Sequence, residues 1–174
     1  LLAAKAEATL LTDDGEIPLS TNRWADGAVD PAGYRHLESF HLDGRMPVWR
    51  YALGSLTIEQ RLWLMPREDT AYVAWRPEPG PGWQGAPLRL RVELLVNARD
   101  HHAGTEPGTL APGVTAEGGA LRVDHPGATW LGAVADGPWE TGEPVWVEGF
   151  DLPRERERGL PDRDNHLRVA TVEL

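Results

Sequence analysis

Apolar residues recur at every second position through much of this chain, in short runs cut off by glycine- and proline-bearing turns. A period of two is the mark of a strand with one buried and one solvated face. The clearest run covers 88–96. Leu88, Leu90, Val92, Leu94 and Val96 share one face; Arg89, Arg91, Glu93 and Asn97 fall mainly on the other, with Leu95 the exception. The 56–64 run repeats the pattern, with Leu56, Ile58, Leu62 and Leu64 inward and Thr57, Glu59 and Arg61 outward. Further strands are expected at 6–12, 34–42, 48–53, 70–76, 121–125, 129–135, 145–150 and 167–174.

Turn residues separate these runs at short spacing: Asp13-Asp14-Gly15, Asp43-Gly44, Leu53-Gly54-Ser55, Glu117-Gly118-Gly119 and Asp136-Gly137-Pro138. With 19 glycines and 15 prolines, few windows are long enough for a helix. The one short candidate is 154–158, stopped by Gly159 and Pro161; a solvated loop is the competing reading. Half-buried strands joined by tight turns imply antiparallel sheets packed face to face. The expectation is an all-β chain with little helix, folded as one antiparallel β-sandwich domain over residues 1–174. Neither Pro/Gly-rich stretch, 77–87 or 104–113, has the length or polarity of a domain linker.

Composition excludes several function classes. The net charge of −10 repels phosphate backbones, which argues against nucleic acid as a partner. There is no cysteine, so neither a disulfide framework nor a thiolate metal site is available, which fits a cytoplasmic protein. No apolar run approaches the roughly 20 residues of a membrane-spanning helix. No G-x-S-x-G elbow, phosphate-binding glycine loop or H-E-x-x-H pair occurs. No cofactor is expected.

Tryptophan outnumbers phenylalanine eight to two. An indole offers a flat apolar face and one N–H donor, a combination suited to sugar rings. Trp24 and Trp83 lie in Gly/Pro-rich loops and Trp139 beside a turn. Trp49, Trp75, Trp130 and Trp146 lie within strand patterns, where packing is the simpler role. The sharpest polar cluster is Arg99-Asp100-His101-His102, directly after the 88–96 strand. Adjacent histidines on an extended chain point to opposite faces, so a shared metal is not expected even with His125 or His166 as extra ligands.

Three segments carry a family resemblance. The first contains Leu19-Ser20-Thr21-Asn22, then Gly33-Tyr34-Arg35-His36-Leu37-Glu38-Ser39-Phe40, then Pro47-Val48-Trp49. The second is Arg99-Asp100-His101-His102, and the third is Phe150-Asp151-Leu152-Pro153-Arg154-Glu155-Arg156-Glu157-Arg158-Gly159-Leu160, followed by Asp162-Arg163-Asp164-Asn165-His166-Leu167. In that order they resemble the N-terminal domain of the bacterial and archaeal glycogen debranching enzyme, an amylo-α-1,6-glucosidase. The family shows L-S-T-N, G-Y-R-Y-L-E-S-F, P-V-W, R-D-Y-H-H and an aromatic residue followed by E-x-E-R-G-L and D-Y-x-E-D-L; here the Tyr between Asp100 and His101 is missing, and Pro161 and Arg163 change the spacing after Leu160.

The resemblance implies a supersandwich-like β-domain of a longer chain, without catalytic residues of its own. The two acids that glycoside hydrolysis requires would sit in a following (α/α)₆ barrel. The partners implied are an α-glucan such as glycogen and the catalytic domain of the same polypeptide. Trp24, Tyr34, Arg99, Asp100, His101 and His102 are the substrate-binding candidates. Three other readings stay open. They are a stand-alone carbohydrate-binding module, a small hydrolase or epimerase using His101 and His102, and an interface domain marked by a large exposed apolar patch.

Overall fold

The computed structural model describes residues 3–84, 87–100, 102–133 and 137–174. Two compact units divide the chain: Leu1–Ala32 with Leu88–Leu174, and Gly33–Pro87.

The first unit is built on a six-stranded antiparallel sheet. Its strands are β1 (Ala3–Thr12), β2 (Gly15–Pro18), β9 (Arg89–Val96), β13 (Trp139–Glu140), β14 (Val145–Asp151) and β15 (Arg163–Glu173). The order is β13-β15-β9-β1-β2, with β14 also paired to β15. A three-stranded sheet of β10 (Gly113–Glu117), β11 (Ala120–His125) and β12 (Ala128–Ala133) covers part of one face. Leu94, Val96, Leu167, Val169 and Ala170 of the larger sheet meet Leu121 and Val123 of the smaller, with Leu110 between them. This is the sandwich that alternation predicts, and its aliphatic interior drives the packing of the two layers. A two-stranded ribbon, β3 (Thr21–Arg23) with β4 (Val29–Ala32), completes the strands of this unit.

The second unit is a meander: β5 (Leu37–Asp43), β6 (Met46–Leu53), β7 (Leu56–Leu64) and β8 (Ala71–Pro79). Two-residue hairpin loops at Gly44-Arg45 and Gly54-Ser55 put each glycine at positive φ, 63° and 66°. That is why Asp43-Gly44 and Leu53-Gly54 were readable as turns.

Several details depart from the periodic reading. Gly33–His36 is a 3₁₀ turn, so the strand begins only at Leu37. Glu59 was placed outward yet is 4 % exposed, while Leu64 was placed inward and is 70 % exposed. The cause at Glu59 is charge pairing: Arg61 lies 2.6 Å and Arg50 3.3 Å from its carboxylate. The expected turn at Asp136 and the end of the 129–135 strand fall outside the described residues. Short strands β2, β3, β4, β10 and β13 had no run long enough to betray them.

The expected helix is present as α1 (Pro153–Glu157). It ends as a Schellman motif: Gly159 N–H donates to Arg156 O and Leu160 N–H to Glu155 O, each at 3.0 Å, with Gly159 at φ 72°. Among the described residues no helix is long and apolar enough to cross a membrane.

Candidate functional site

Alternation gives the six-stranded sheet a second face, opposite the sandwich core. Strand register places Lys5, Glu7, Arg91, Glu93, Asp164, His166 and Arg168 there. A continuous polar and aromatic cluster is built on this face, and the Leu19-Ser20-Thr21-Asn22 motif feeds it. Leu19 is buried, and Ser20 Oγ accepts the Ala8 N–H at 2.9 Å. These contacts turn the chain out of β2 and carry Asn22 back over β1. Asn22 is 3 % exposed, donates from Nδ2 to Glu7 Oε1 at 2.6 Å, and accepts from Lys5 Nζ through Oδ1. Lys5 also pairs with Glu7 at 3.0 Å and donates to Thr21 O at 3.2 Å. A buried amide is stable only when bonded in this way.

Next in the chain is Trp24, half-buried. Its ring centroid lies 4.8 Å from that of Phe150, which lies 4.6 Å from His166; Lys5 Nζ sits 5.7 Å over the Phe150 ring. The indole N–H donates to Asp30 O at 2.5 Å. Its one donor is therefore engaged. Backbone geometry supports this row. Gly149 sits in the bulge between Val147 and Phe150 at φ 83°, a conformation that strains any residue with a Cβ. There its carbonyl accepts Ala25 N–H and its own N–H donates to Asn165 Oδ1, both at 2.8 Å.

Asp164 closes the far end. Its side chain is fully buried and paired with Arg99, whose Nε and Nη2 each lie 2.7 Å from Oδ2. Backbone N–H groups of Thr105 and Asn165 donate to Oδ1 at 2.8 and 3.0 Å. Asn97 Nδ2 donates to Asp164 at 3.4 Å and lies 3.0 Å from His166 Nδ1. Burial is the main cause of a lowered His166 pKa; the Asp164 charge opposes it, while Arg99 and Lys5 reinforce it.

Trp24 and Arg99 are thus the two sequence candidates brought into one structure, linked through Phe150, His166 and Asp164. Arg99 is mostly buried, so its guanidinium works as a brace for Asp164. Asp100 accepts Arg99 Nη1–H at its backbone oxygen. His102 is half-exposed, with Nδ1 3.4 Å from Glu155 of α1. Tyr34 belongs to the second unit, where it is 52 % exposed in the 3₁₀ turn. His101 lies outside the described residues. Asn22, Asn97, Phe150, Asp164 and His166 complete the cluster; the sequence offers His166 as a spare metal ligand, and Asn22, Phe150 and Asp164 only as members of the matched segments. Asn97 carries no signal beyond being a polar residue at the end of a strand-like run. Among the described residues no group of three or more His, Asp or Glu side chains could hold a metal.

A sandwich-type all-β domain with an aromatic row braced by buried polar groups on its outer sheet face is the class that fold and site define. More narrowly, the chain belongs to the family described as glycogen debranching enzyme N terminal, whose pattern matches residues 1–174 and so bears out the resemblance read from the three segments. No curated protein and no solved structure matches the chain.

Proposed function

We propose that this chain is a non-catalytic N-terminal domain of a glycogen-debranching glycoside hydrolase. It packs on the catalytic (α/α)₆ barrel of its own polypeptide and helps shape or bind the α-glucan substrate. Trp24 carries the binding half of this reading. With its N–H engaged and one side braced by Phe150, the indole supplies a fixed apolar platform, and a sugar's C–H face is the natural complement. His101 and His102 add hydrogen bonds to hydroxyls, Tyr34 offers its own hydroxyl to glucan within the second unit, and Arg99 and Asp100 hold the end of the cluster in place. The packing half is supported by an apolar stretch of the second unit's sheet, where Phe40, Leu42 and Leu64 share a face and are 54 %, 61 % and 70 % exposed. Apolar surface of this kind marks interaction sites. The same stretch favours a second reading, an interface domain that holds no glycan itself.

Titration of the chain with maltoheptaose, followed by tryptophan fluorescence and calorimetry, separates the two. Trp24→Ala is expected to weaken binding about tenfold, equivalent to ~1.4 kcal/mol. Unchanged affinity in Trp24→Ala would remove the platform, and absence of binding by the unaltered chain would leave only the interface reading.

A further inference from the structure

One side chain of β15 answers the bulge in β14. Val147 pairs with His166 and Phe150 with Asp164, so Glu148 and Gly149 both stand opposite Asn165. A bulge disrupts the ladder and leaves a backbone group to be satisfied elsewhere. Here that group is the Gly149 N–H, and the Asn165 amide replaces the missing acceptor: Oδ1 receives it at 2.8 Å. An amide also donates. Asn165 Nδ2 reaches the other way, to Thr105 O at 2.7 Å.

Each partner belongs to a segment that holds binding candidates. Gly149 O accepts Ala25 N–H at 2.8 Å, and Trp24 bridges to Phe150, so the Gly149 peptide sets the backbone that carries the indole. Thr105 closes the loop that carries Arg99, Asp100 and His102. The end of that loop lies directly on β15: a Cβ on Gly104 would come within 3.0 Å of Arg163 O. The Thr105 peptide is gripped at both ends, its N–H by Asp164 Oδ1 at 2.8 Å and its carbonyl by Asn165. That second grip fixes which way the amide points. With Nδ2 held by Thr105, Oδ1 is turned toward Gly149. Asp164 grips the loop; Asn165 grips the loop and the support of Trp24 at once.

We infer that, on the proposed reading of Trp24 as a glucan platform, Asn165 is its positioning residue. Asn165 acts through the Gly149–Ala25 link, anchors that link to Thr105, and contributes no contact to the sugar.

The test follows the Trp24 indole N–H in proton–nitrogen correlation spectra of the isotope-labelled 174-residue chain, its signal being the one absent from Trp24→Phe. Calorimetric titration with maltoheptaose runs beside it. Asn165 is half-buried, so its variants are expected to fold. In Asn165→Ala the Trp24 signal is expected to shift or broaden while the other seven of the eight indole signals stay in place. Maltoheptaose affinity is expected to fall about fivefold, the loss of one hydrogen bond's net worth. Asn165→Asp keeps an acceptor for the Gly149 N–H; its Trp24 signal is expected at the unaltered position and its affinity within about twofold. A residue needed for stability alone would lower the melting temperature in both variants and leave the Trp24 signal where it is, and that result overturns the inference. So does equal loss of signal and affinity in the two variants, or loss of all eight signals in Asn165→Ala, which marks a residue the whole fold requires. Absence of binding by the unaltered chain, or full affinity in Trp24→Ala, removes the platform reading instead. The Trp24 signal in Asn165→Ala then decides the positioning alone: a shift supports it and an unmoved signal overturns it.

Discussion

Asp164 in the first unit and Glu59 in the second are both buried carboxylates held by arginine, yet they do different work. Asp164 gathers Arg99, Asn97 and the Thr105 and Asn165 backbone N–H groups, and all but Asn165 come from segments 59 or more residues away in sequence. Glu59 meets Arg61 two residues on and Arg50 on the neighbouring strand, all within one meander. The same chemistry is a long-range clamp in one place and a local stitch in the other. The partners' surroundings decide which. Arg99 is 12 % exposed and Asn97 fully buried, whereas Arg50 and Arg61 keep about a third of their side-chain surface and have further acids in Glu78 and Asp43.

Removing the clamp should therefore have the largest effect. Asp164→Ala removes the acceptor that Arg99, Asn97 and the Thr105 N–H share, and with it the charge that balances the mostly buried Arg99. A loss of ~3–5 kcal/mol is expected in denaturant unfolding. A loss no greater than that of Glu59→Ala would erase the distinction drawn here. Glu59→Ala itself is expected to cost ~1–3 kcal/mol, because its arginines retain water and other carboxylates.

A pH scan sharpens the contrast. The Glu59 pKa is lowered, chiefly by its hydrogen bond from Arg61 and against the effect of burial. Its contribution is present above the ordinary value of 4.5 and fades as pH falls below it. His166 acts at higher pH. Its folded pKa lies below the ordinary 6.5, so the unfolded chain takes up a proton that the folded chain resists. Stability should fall as pH drops through 6.5. His166→Gln should flatten that part of the profile and leave the acid limb in place; an unaltered profile would refute the role of His166. Arg122→Ala, at an exposed pair with Asp124, is the weakest case and should not shift the melting temperature measurably.

Much of the fold was legible because each long strand carries its own alternation. Leu90, Val92, Leu94 and Val96 are buried and Arg89 is exposed, as the period requires. Gly44, Gly54 and Gly159 announce their turns locally. The cluster was far less readable. Asp164 is an ordinary acid in a chain with 27 of them until β15 lies beside β9 and presents it to Arg99. Glu59 and Leu64 fail the pattern for a related reason: periodicity reports which side a residue faces, not what waits there. Trp24 is visible as a loop indole, while Phe150 is visible only as the aromatic that opens the third matched segment, with nothing in the sequence to set it against Trp24.

The topology also bears on biosynthesis. The Gly33–Pro87 meander pairs only neighbouring strands, so it can form while the ribosome is still at work. β1 must wait for β9, and β9 for β15, before the sandwich closes. Until residues 163–173 emerge, β9 presents a bare hydrogen-bonding edge, and the nascent polypeptide is most prone to misassociate in that interval.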